Sequence, residues 1–498
     1  MSTDHRKERL SSGILHREPL IFERGSAGRV GCSLPAPDVP EATAAIDPAL
    51  LRAEPALLPE VSEPEATRHF TRLSQWNFAI DLGMYPLGSC TMKYNPKNNE
   101  RAARMPGFAN LHPALGAEHL QGALALMWRL ERALCEITGF ARATLQPAAG
   151  AQGELAGLMM IRAYHVDRHR SPSRVLIPDS AHGTNPASCT VNGFQTVPLP
   201  TGARGTLDLD TVKKAISDDV AAIMITNPST VGLFEDQIAE IAEIVHAHGA
   251  LVYMDGANLN ALLGQFRPGD HGVDCLHINL HKTFTTPHGG GGPGAGPVAV
   301  APGLVPFLPT PMVESAGGER YRLDFDRPKS IGRVRAFFGN FGMFVRAYTY
   351  IREMGAEGLK AATEMAVLNA NYLKARLSAH YHTPYERACM HEVVVSDQRL
   401  KKETGVQTLD VAKRLMDHGF HPPTIYFPLI VMGALMIEPT ETETLETLDE
   451  LADALVAIAE EARVDPETVK AAPHATGLRR LDETQAARKP RLRYTREG

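Results

Sequence analysis

Chemistry-bearing side chains follow four short apolar runs: "RVLIP" precedes Asp179, Ser180, Ala181 and His182; "AAIMIT" precedes Asn227 and Pro228; "ALVYM" precedes Asp255; "CLHI" precedes Asn279, Leu280, His281 and Lys282. An imidazole, a carboxamide, a carboxylate and an amine therefore stand at successive run ends. These are the groups a pyridoxal phosphate site requires. An amine forms a Schiff base with the cofactor. A carboxylate keeps the pyridine nitrogen protonated, and only the pyridinium is a strong electron sink. A flat group against the ring and a donor at the phenolic oxygen complete the ring's contacts. The phosphate needs backbone N–H groups at a helix N-terminus. "AAGAQGE" (148–154) supplies small residues ahead of a helix expected from near Gly153.

Taken singly, each residue has an ordinary structural use. Asp255 could cap a helix, His182 could be a satisfied loop histidine, Asn227 before Pro228 is a common turn signal, and Lys282 could snorkel. Their joint placement at strand ends is the argument, because ligands of parallel sheets bind outside the carboxyl ends of the strands. The glycine run after Lys282 is not GxGxxG between a strand and a helix, which disfavours a dinucleotide site. Lys93 and Lys97 in "MKYNPK" lack a preceding buried strand.

The elements that must hold these groups are legible around them. "AAIMITNP" and "ALVYMDG" are continuous apolar runs, and "EDQIAEIAEIVHAHG" between them carries Ile238, Ile241, Ala242 and Val245 on one helical face. That strand, helix and strand predict a parallel pair with a right-handed crossover, covered on both faces. "ATLQPAAGAQG", a helix from about Glu154 and "RVLIPDSAHG" have the same grammar. "EHLQGALALMWRLERALCEITG" predicts a helix stopped by Gly139. After about residue 341 come a strand in "HEVVVS", a helix in "TLDVAKRLMDHG" and a long amphipathic helix in "ETLETLDELADALVAIAEEA". The expected organisation is an extended arm over 1–70, a large α/β cofactor domain over 71–340 and a smaller α+β domain over 341–498.

Composition narrows the function classes. The 498 residues carry 51 Lys and Arg against 57 Asp and Glu, for a net charge of -6. That balance argues against a general nucleic-acid binder. The basic close, "AARKPRLRYTREG", reads as a solvated tail. No apolar run reaches the ~18 residues of a membrane span. The charged start, "MSTDHRKERLSSG", lacks an apolar signal core, and the six cysteines show no CxxC spacing. A cytoplasmic protein with reduced thiols and no metal site is expected.

Longer motifs then carry a resemblance. "NLHKTFTTPHGGGGPGAGPV", "DSAHGTNPAS", "YMDGANLNA" and "LGSCTMKYNP" resemble the P-proteins of the glycine cleavage system, glycine dehydrogenases (decarboxylating). The opening "EPLIFERGSAGRVGCSLP" and the closing "APHATGLRRLDETQAARKPRLRY" resemble subunit 2 of the split form. The resemblance covers nearly the whole chain and implies a fold-type I pyridoxal-phosphate-dependent, transferase-like large domain with a smaller C-terminal α+β domain. It implies that Lys282 bonds the cofactor, Asp255 pairs with the pyridine nitrogen and His182 stacks on the ring. It also implies Ala151 and Gln152 at the phosphate and Asn227 at the phenolic oxygen. The implied reaction is glycine decarboxylation, with transfer of the aminomethyl group to the lipoyl arm of a separate H-protein. A homologous subunit 1, in a two-plus-two heterotetramer, is the implied companion.

Two segments keep two readings each. The glycine loop 289–296 serves either as a pliable wall for a lipoyl arm or as a tight structural turn. Cys90 in "GSCTMK" (88–93) is either a reactive thiol or a small buried filler. Three rival functions stand beside glycine decarboxylation: another fold-type I enzyme such as a cysteine desulfurase or an amino-acid decarboxylase, a non-catalytic scaffold subunit, and a dinucleotide-binding dehydrogenase. Lys282 argues against the scaffold, and no cysteine sits in an obvious mobile loop of the desulfurase kind.

Overall fold

A computed structural model describes residues 18–40, 46–54, 56–288 and 294–493. The described residues group into two compact units, one from Gly83 to Ala472 and one made of the residues up to Leu82 with those from Pro473 on. The smaller unit carries a helix, Glu63–Gln75, that opens with a Ser62–Glu65 capping box. In it the buried Glu18 carboxylate meets His69 Nδ1 at 2.7 Å and forms an ion pair with Arg24, whose Nε lies 2.8 Å away. Such a carboxylate is tolerated only with partners of this kind.

The larger unit is built on a seven-stranded sheet. Its strands are β1 (Arg142–Thr144), β2 (Arg174–Pro178), β3 (Gln195–Leu199), β4 (Val220–Thr226), β5 (Leu251–Gly256), β6 (Cys275–Ile278) and β7 (Val298–Val300). The order is β1-β7-β6-β5-β4-β2-β3. β7 runs antiparallel to both β1 and β6. The pairs β3–β2, β2–β4, β4–β5 and β5–β6 are parallel. The expected crossover is present: helix Ile238–Ala247 joins β4 to β5, and every residue of both strands is buried. β1 and β2 also bracket a helix, Gly150–Asp167, but four strands separate them in the sheet.

That helix begins at Gly150, three residues before the expected start, so Ala151 and Gln152 lie in its first turn. Its packing explains its small residues. A Cβ on Gly157 would enter the Tyr253 ring and lie 2.9 Å from Cys275 Sγ. Interiors of this density do not yield a methyl group cheaply. Gly157→Ala is expected to destabilise the unit by ~1–3 kcal/mol, read as a lower denaturant midpoint at unchanged slope.

A hairpin follows the sheet, β8 (Met312–Gly317) with β9 (Arg320–Asp324). Helix Phe341–Leu377 then begins where the sequence grammar changes, and it is interrupted at Gly355, φ 61°. Beyond it, β10 (Val393–Ser396), β11 (Thr424–Ile425) and β12 (Ala434–Ile437) form an antiparallel sheet in the order β10-β12-β11. Helices Thr408–Asp417 and Leu445–Val464 bury Val411, Leu415, Leu451, Leu455 and Ile458 in a core shared with Val393, Val395, Leu435 and Ile437 of this sheet. Among the described residues, no helix is long and apolar enough to cross a membrane.

Candidate active site

The carboxyl ends of β2, β4, β5 and β6 deliver His182, Asn227, Asp255 and Lys282 to one edge of the sheet. Parallel pairing fixes this: Thr226 is opposite Asp255, and Asp255 is opposite His277.

Asp255 is buried. Its Oδ2 accepts from Asn185 Nδ2 at 3.0 Å and its Oδ1 from the Ala257 N–H at 2.9 Å. His277 Nε2 lies 3.2 Å from Oδ1, and the Tyr253 hydroxyl meets the other ring nitrogen at 2.8 Å. Burial alone would raise this carboxyl. The nearby His277, the Asn185 and Ala257 hydrogen bonds and the Lys282 charge outweigh burial and hold it below the usual carboxylate range. Asp255 is therefore an anion at neutral pH.

Lys282 is half-buried, and its amine donates to the Ser89 carbonyl at 2.7 Å. Its positive charge reaches several neighbours. Burial, His288 and Lys282 push His281 down to about 3, and burial and Lys282 push His288 down to about 4. Both imidazoles are thus neutral at pH 7, and their rings meet edge to face at 5.0 Å. Lys93 is committed elsewhere. Its buried amine pairs with Glu441 Oε1 at 2.6 Å and Asn260 Oδ1 at 2.8 Å. Burial lowers its basicity, but Glu441 more than offsets this, so Lys93 stays protonated and a poor nucleophile.

His182 is half-buried with Nδ1 2.9 Å from Thr184 Oγ1, which donates to Glu154 Oε1 at 2.8 Å. Its ring meets Phe427 edge to face at 5.4 Å. Asn227 is fully buried, with Oδ1 accepting the Glu235 N–H at 3.0 Å and Nδ2 donating to the Glu235 carbonyl at 3.3 Å. One Nδ2 hydrogen is left over. Gln152 bridges the Ala148 N–H and the Val334 carbonyl, each at 2.7 Å. Ala151 is exposed at the helix start. First-turn N–H groups have no intrahelical partners, so this end is ready for an anion.

The glycines beside the site are required by close approach. A Cβ on Gly150 would lie 2.6 Å from Asn279 Oδ1, one on Gly294 would strike the His281 ring, and one on Gly296 would strike the Ala149 carbonyl. Gly294 and Gly296 therefore serve as tight packing. The pliable-wall reading falls mainly on 289–293, outside the described residues. Cys90 is half-buried, and burial raises its thiol. Ser89 and Thr91 on either side adopt φ of 64° and 46°.

The residues present fit pyridoxal phosphate. A fixed anion, an amine on a strand-end loop, a half-buried imidazole and a free helix start share one edge. Asn279 Oδ1, at the same helix start, and His288 Nε2 are buried polar atoms without a hydrogen-bond partner, as a polar ligand pocket leaves them.

Sequence reasoning missed the groups around these. His277 lay inside a run read as strand interior, although it follows Leu276 in an all-buried strand where a polar residue needs a reason. Thr184 and Asn185 open the next helix, Thr184–Val191. Glu392 and Glu438 flank strands of the other sheet.

Comparison with known proteins places these residues in context. The family described as glycine dehydrogenase, C-terminal domain, matches residues 362–475, and aminotransferase class-V matches 176–291. A probable glycine dehydrogenase (decarboxylating) subunit 2 of Listeria welshimeri is 57% identical over 482 residues, 96% of this chain and 98% of that protein. Its counterpart in Caldanaerobacter subterraneus subsp. tengcongensis is 57% identical over 96% of this chain and 99% of its own. The fold is similar to that of an inhibitor-bound glycine decarboxylase (P-protein) of the glycine cleavage system. The TM-score is 0.70 at 21% identity, over 83% of this chain and 93% of that one.

Proposed function

The chain belongs to the family of glycine dehydrogenase (decarboxylating) subunit 2, and from that premise we propose that it decarboxylates glycine with Lys282 as the cofactor lysine. The observation that carries the reading is the pairing of a strand-end amine at Lys282 with a buried, anionic Asp255 on the neighbouring strand. Bound pyridoxal phosphate supplies the electron sink that takes up the negative charge left when CO2 departs.

The chain's own groups divide the remaining work. The Lys282 amine would hold the cofactor covalently through the cofactor's carbonyl carbon. Asp255 would hold the ring nitrogen and keep it protonated, since a buried anion stabilises an adjacent cation strongly. Asn185, His277 and the Ala257 N–H fix that carboxylate in place. His182, oriented by Thr184 and Glu154, would hold the ring by stacking against it. The N–H groups of Ala151 and Gln152 would hold the phosphate, and the remaining Asn227 hydrogen would serve the phenolic oxygen. Neutral His281 and His288 leave Lys282 without a cationic rival beside it.

The acceptor of the aminomethyl group is the lipoyl disulfide of an H-protein, so the electrons pass to sulfur and no nicotinamide is needed. The relatives' shared name, subunit 2, supports a companion subunit 1; a two-plus-two assembly working in the cytoplasm is part of the same proposal. Glycine-dependent exchange of labelled bicarbonate tests the whole reading. Exchange is expected only when this chain is co-expressed with subunit 1, rising further with lipoylated H-protein. Full-rate exchange by the isolated chain as a monomer would remove the need for a companion, and alanine release from cysteine instead would point to a desulfurase.

A further inference from the structure

Glu392 and Glu438 form a buried acid pair beside the cofactor lysine. Both are fully buried, and a ligating atom from each lies within 4.8 Å of the other and of His391. They come from the far sheet: Glu392 immediately precedes β10 and Glu438 immediately follows β12. Each accepts a backbone N–H from the 88–93 segment. Ser89 N–H donates to Glu392 Oε2 at 2.7 Å and Thr91 N–H to Glu438 Oε2 at 2.9 Å. These are the two non-glycine residues that hold left-handed backbone on either side of Cys90. For Thr91, β-branched, that conformation is costly and persists only where the surroundings impose it.

The same segment touches Lys282 directly, through the Ser89 carbonyl on its amine at 2.7 Å. It is pinned further along as well. Asn95 Nδ2 donates to the Thr285 carbonyl at 3.1 Å, and Thr285 Oγ1 donates to the Tyr94 carbonyl at 2.6 Å. Lys93 anchors the end of the segment on Glu441.

We infer that Glu392 and Glu438 are positioning residues that grip the Ser89–Thr91 strap, hold its Ser89 carbonyl against Lys282 and share one proton between them. This rests on the reading of Lys282 as the cofactor lysine.

The charge balance around the pair supports the shared proton. Burial and the neighbouring Glu438 push Glu392 up to about 8, and burial pushes Glu438 up to about 7, with Lys282 opposing both. Glu441 also faces Glu438, but it is paired with Lys93. His391 is pushed down to about 3 by burial and the Lys282 charge, and it is neutral. The Asn258 amide reaches Glu392 Oε1 at 3.5 Å, and the Cys90 thiol is raised by burial. Near neutrality the cluster thus holds one lysine cation against one carboxylate. Two adjacent buried carboxyls do not both ionise until the solution is alkaline.

Two measurements test this. The first needs no cofactor: hydrogen exchange of the apo chain over residues 85–96. Glu438→Ala and Glu392→Ala are each expected to speed exchange of the strap amides at least ~10-fold, with the β4 and β5 amides unchanged. Glu438→Gln keeps an acceptor and is expected to retain protection at pH 7. The second is the pH midpoint of the visible absorbance of the lysine-bound cofactor. In the wild type the second carboxyl ionises at alkaline pH and holds the proton beside Lys282 to higher pH. Glu438→Gln cannot do this, so its midpoint is expected ~1 unit lower. A merely structural carboxyl would leave that midpoint unmoved. Unchanged strap exchange in both alanine variants, or equal midpoints, overturns the inference. If Glu438→Ala does not fold, Glu392→Ala carries the exchange arm and Glu438→Gln the spectral arm. A borohydride label on a lysine other than Lys282 would overturn the cofactor-lysine reading while the exchange arm still decides the grip.

Discussion

Lys282→Ala is expected to yield a folded chain that takes up no borohydride-stable pyridoxyl label. In complex with subunit 1 it should lose at least ~3 decades of glycine-dependent exchange. A loss of that size corresponds to ~4 kcal/mol of barrier. It follows from removing the nucleophile that holds the cofactor's carbonyl carbon, a covalent contribution that no neighbour can replace. Lys93 and Lys97 are the other lysines of a site-like motif, yet the Lys93 amine is buried, protonated and bound to Glu441 and Asn260. Lys97 is exposed. Some loss of stability is expected as well, because the Lys282 charge faces the buried Asp255, Glu392 and Glu438 carboxyls, so the rate is compared after correction for the folded fraction. The unlabelled variant should still bind cofactor non-covalently, through the helix N-terminus and Asp255. Peptide mapping of the reduced wild type checks the assignment. A pyridoxyl label on Lys93 or Lys97, or exchange within tenfold of wild type in the alanine variant, would sink it.

Why these four side chains were legible, and their partners were not, follows from where each lies. β4 and β5 are buried on both faces, so their sequences are unbroken apolar runs whose ends stand out. Asp255 and Asn227 are conspicuous as the first polar residues after such runs. Lys282 stands four residues after β6, behind Asn279 and His281, and is conspicuous as the lysine that follows such a run. The start of helix Gly150–Asp167 was expected at Gly153 because Gly150 and Gly153 weaken any helical pattern. Both are there for packing, against Asn279 and against Gly296 and His277. That requirement comes from the sheet below, and local propensity carries no trace of it. β1 and β7 have three residues each, too few for periodicity to reveal. Glu392 and Glu438 reach the site through a second sheet whose strands pair across tens of residues. Sequence spacing alone does not reveal such a meeting, although a glutamate directly beside "VVVS" was a visible oddity.

The second large effect is expected at Asp255. Asp255→Asn should retain some cofactor but lose two or more decades of decarboxylation, about 3 kcal/mol or more. The amide has no charge to hold the ring nitrogen protonated, so the sink for the departing electron pair weakens. The substitution also disturbs three contacts. The carboxylate accepts from Asn185 and from the Ala257 N–H and meets His277, and a carboxamide would turn its NH2 toward one of these donors. A buried donor left without an acceptor costs ~1–3 kcal/mol, so a lower melting midpoint is expected as well. pH separates the two effects. The native carboxyl lies below its ordinary value, so its contribution to stability is present above the unfolded value of ~4. It is lost as pH falls through the native one. The stability gap between wild type and variant should therefore narrow in acid, whereas the rate gap at neutral pH should remain after correction for the folded fraction. A folded variant within twofold of wild-type exchange would mean that Asp255 does not face the ring nitrogen. Its network with His277, Tyr253 and Asn185 would then be structural only.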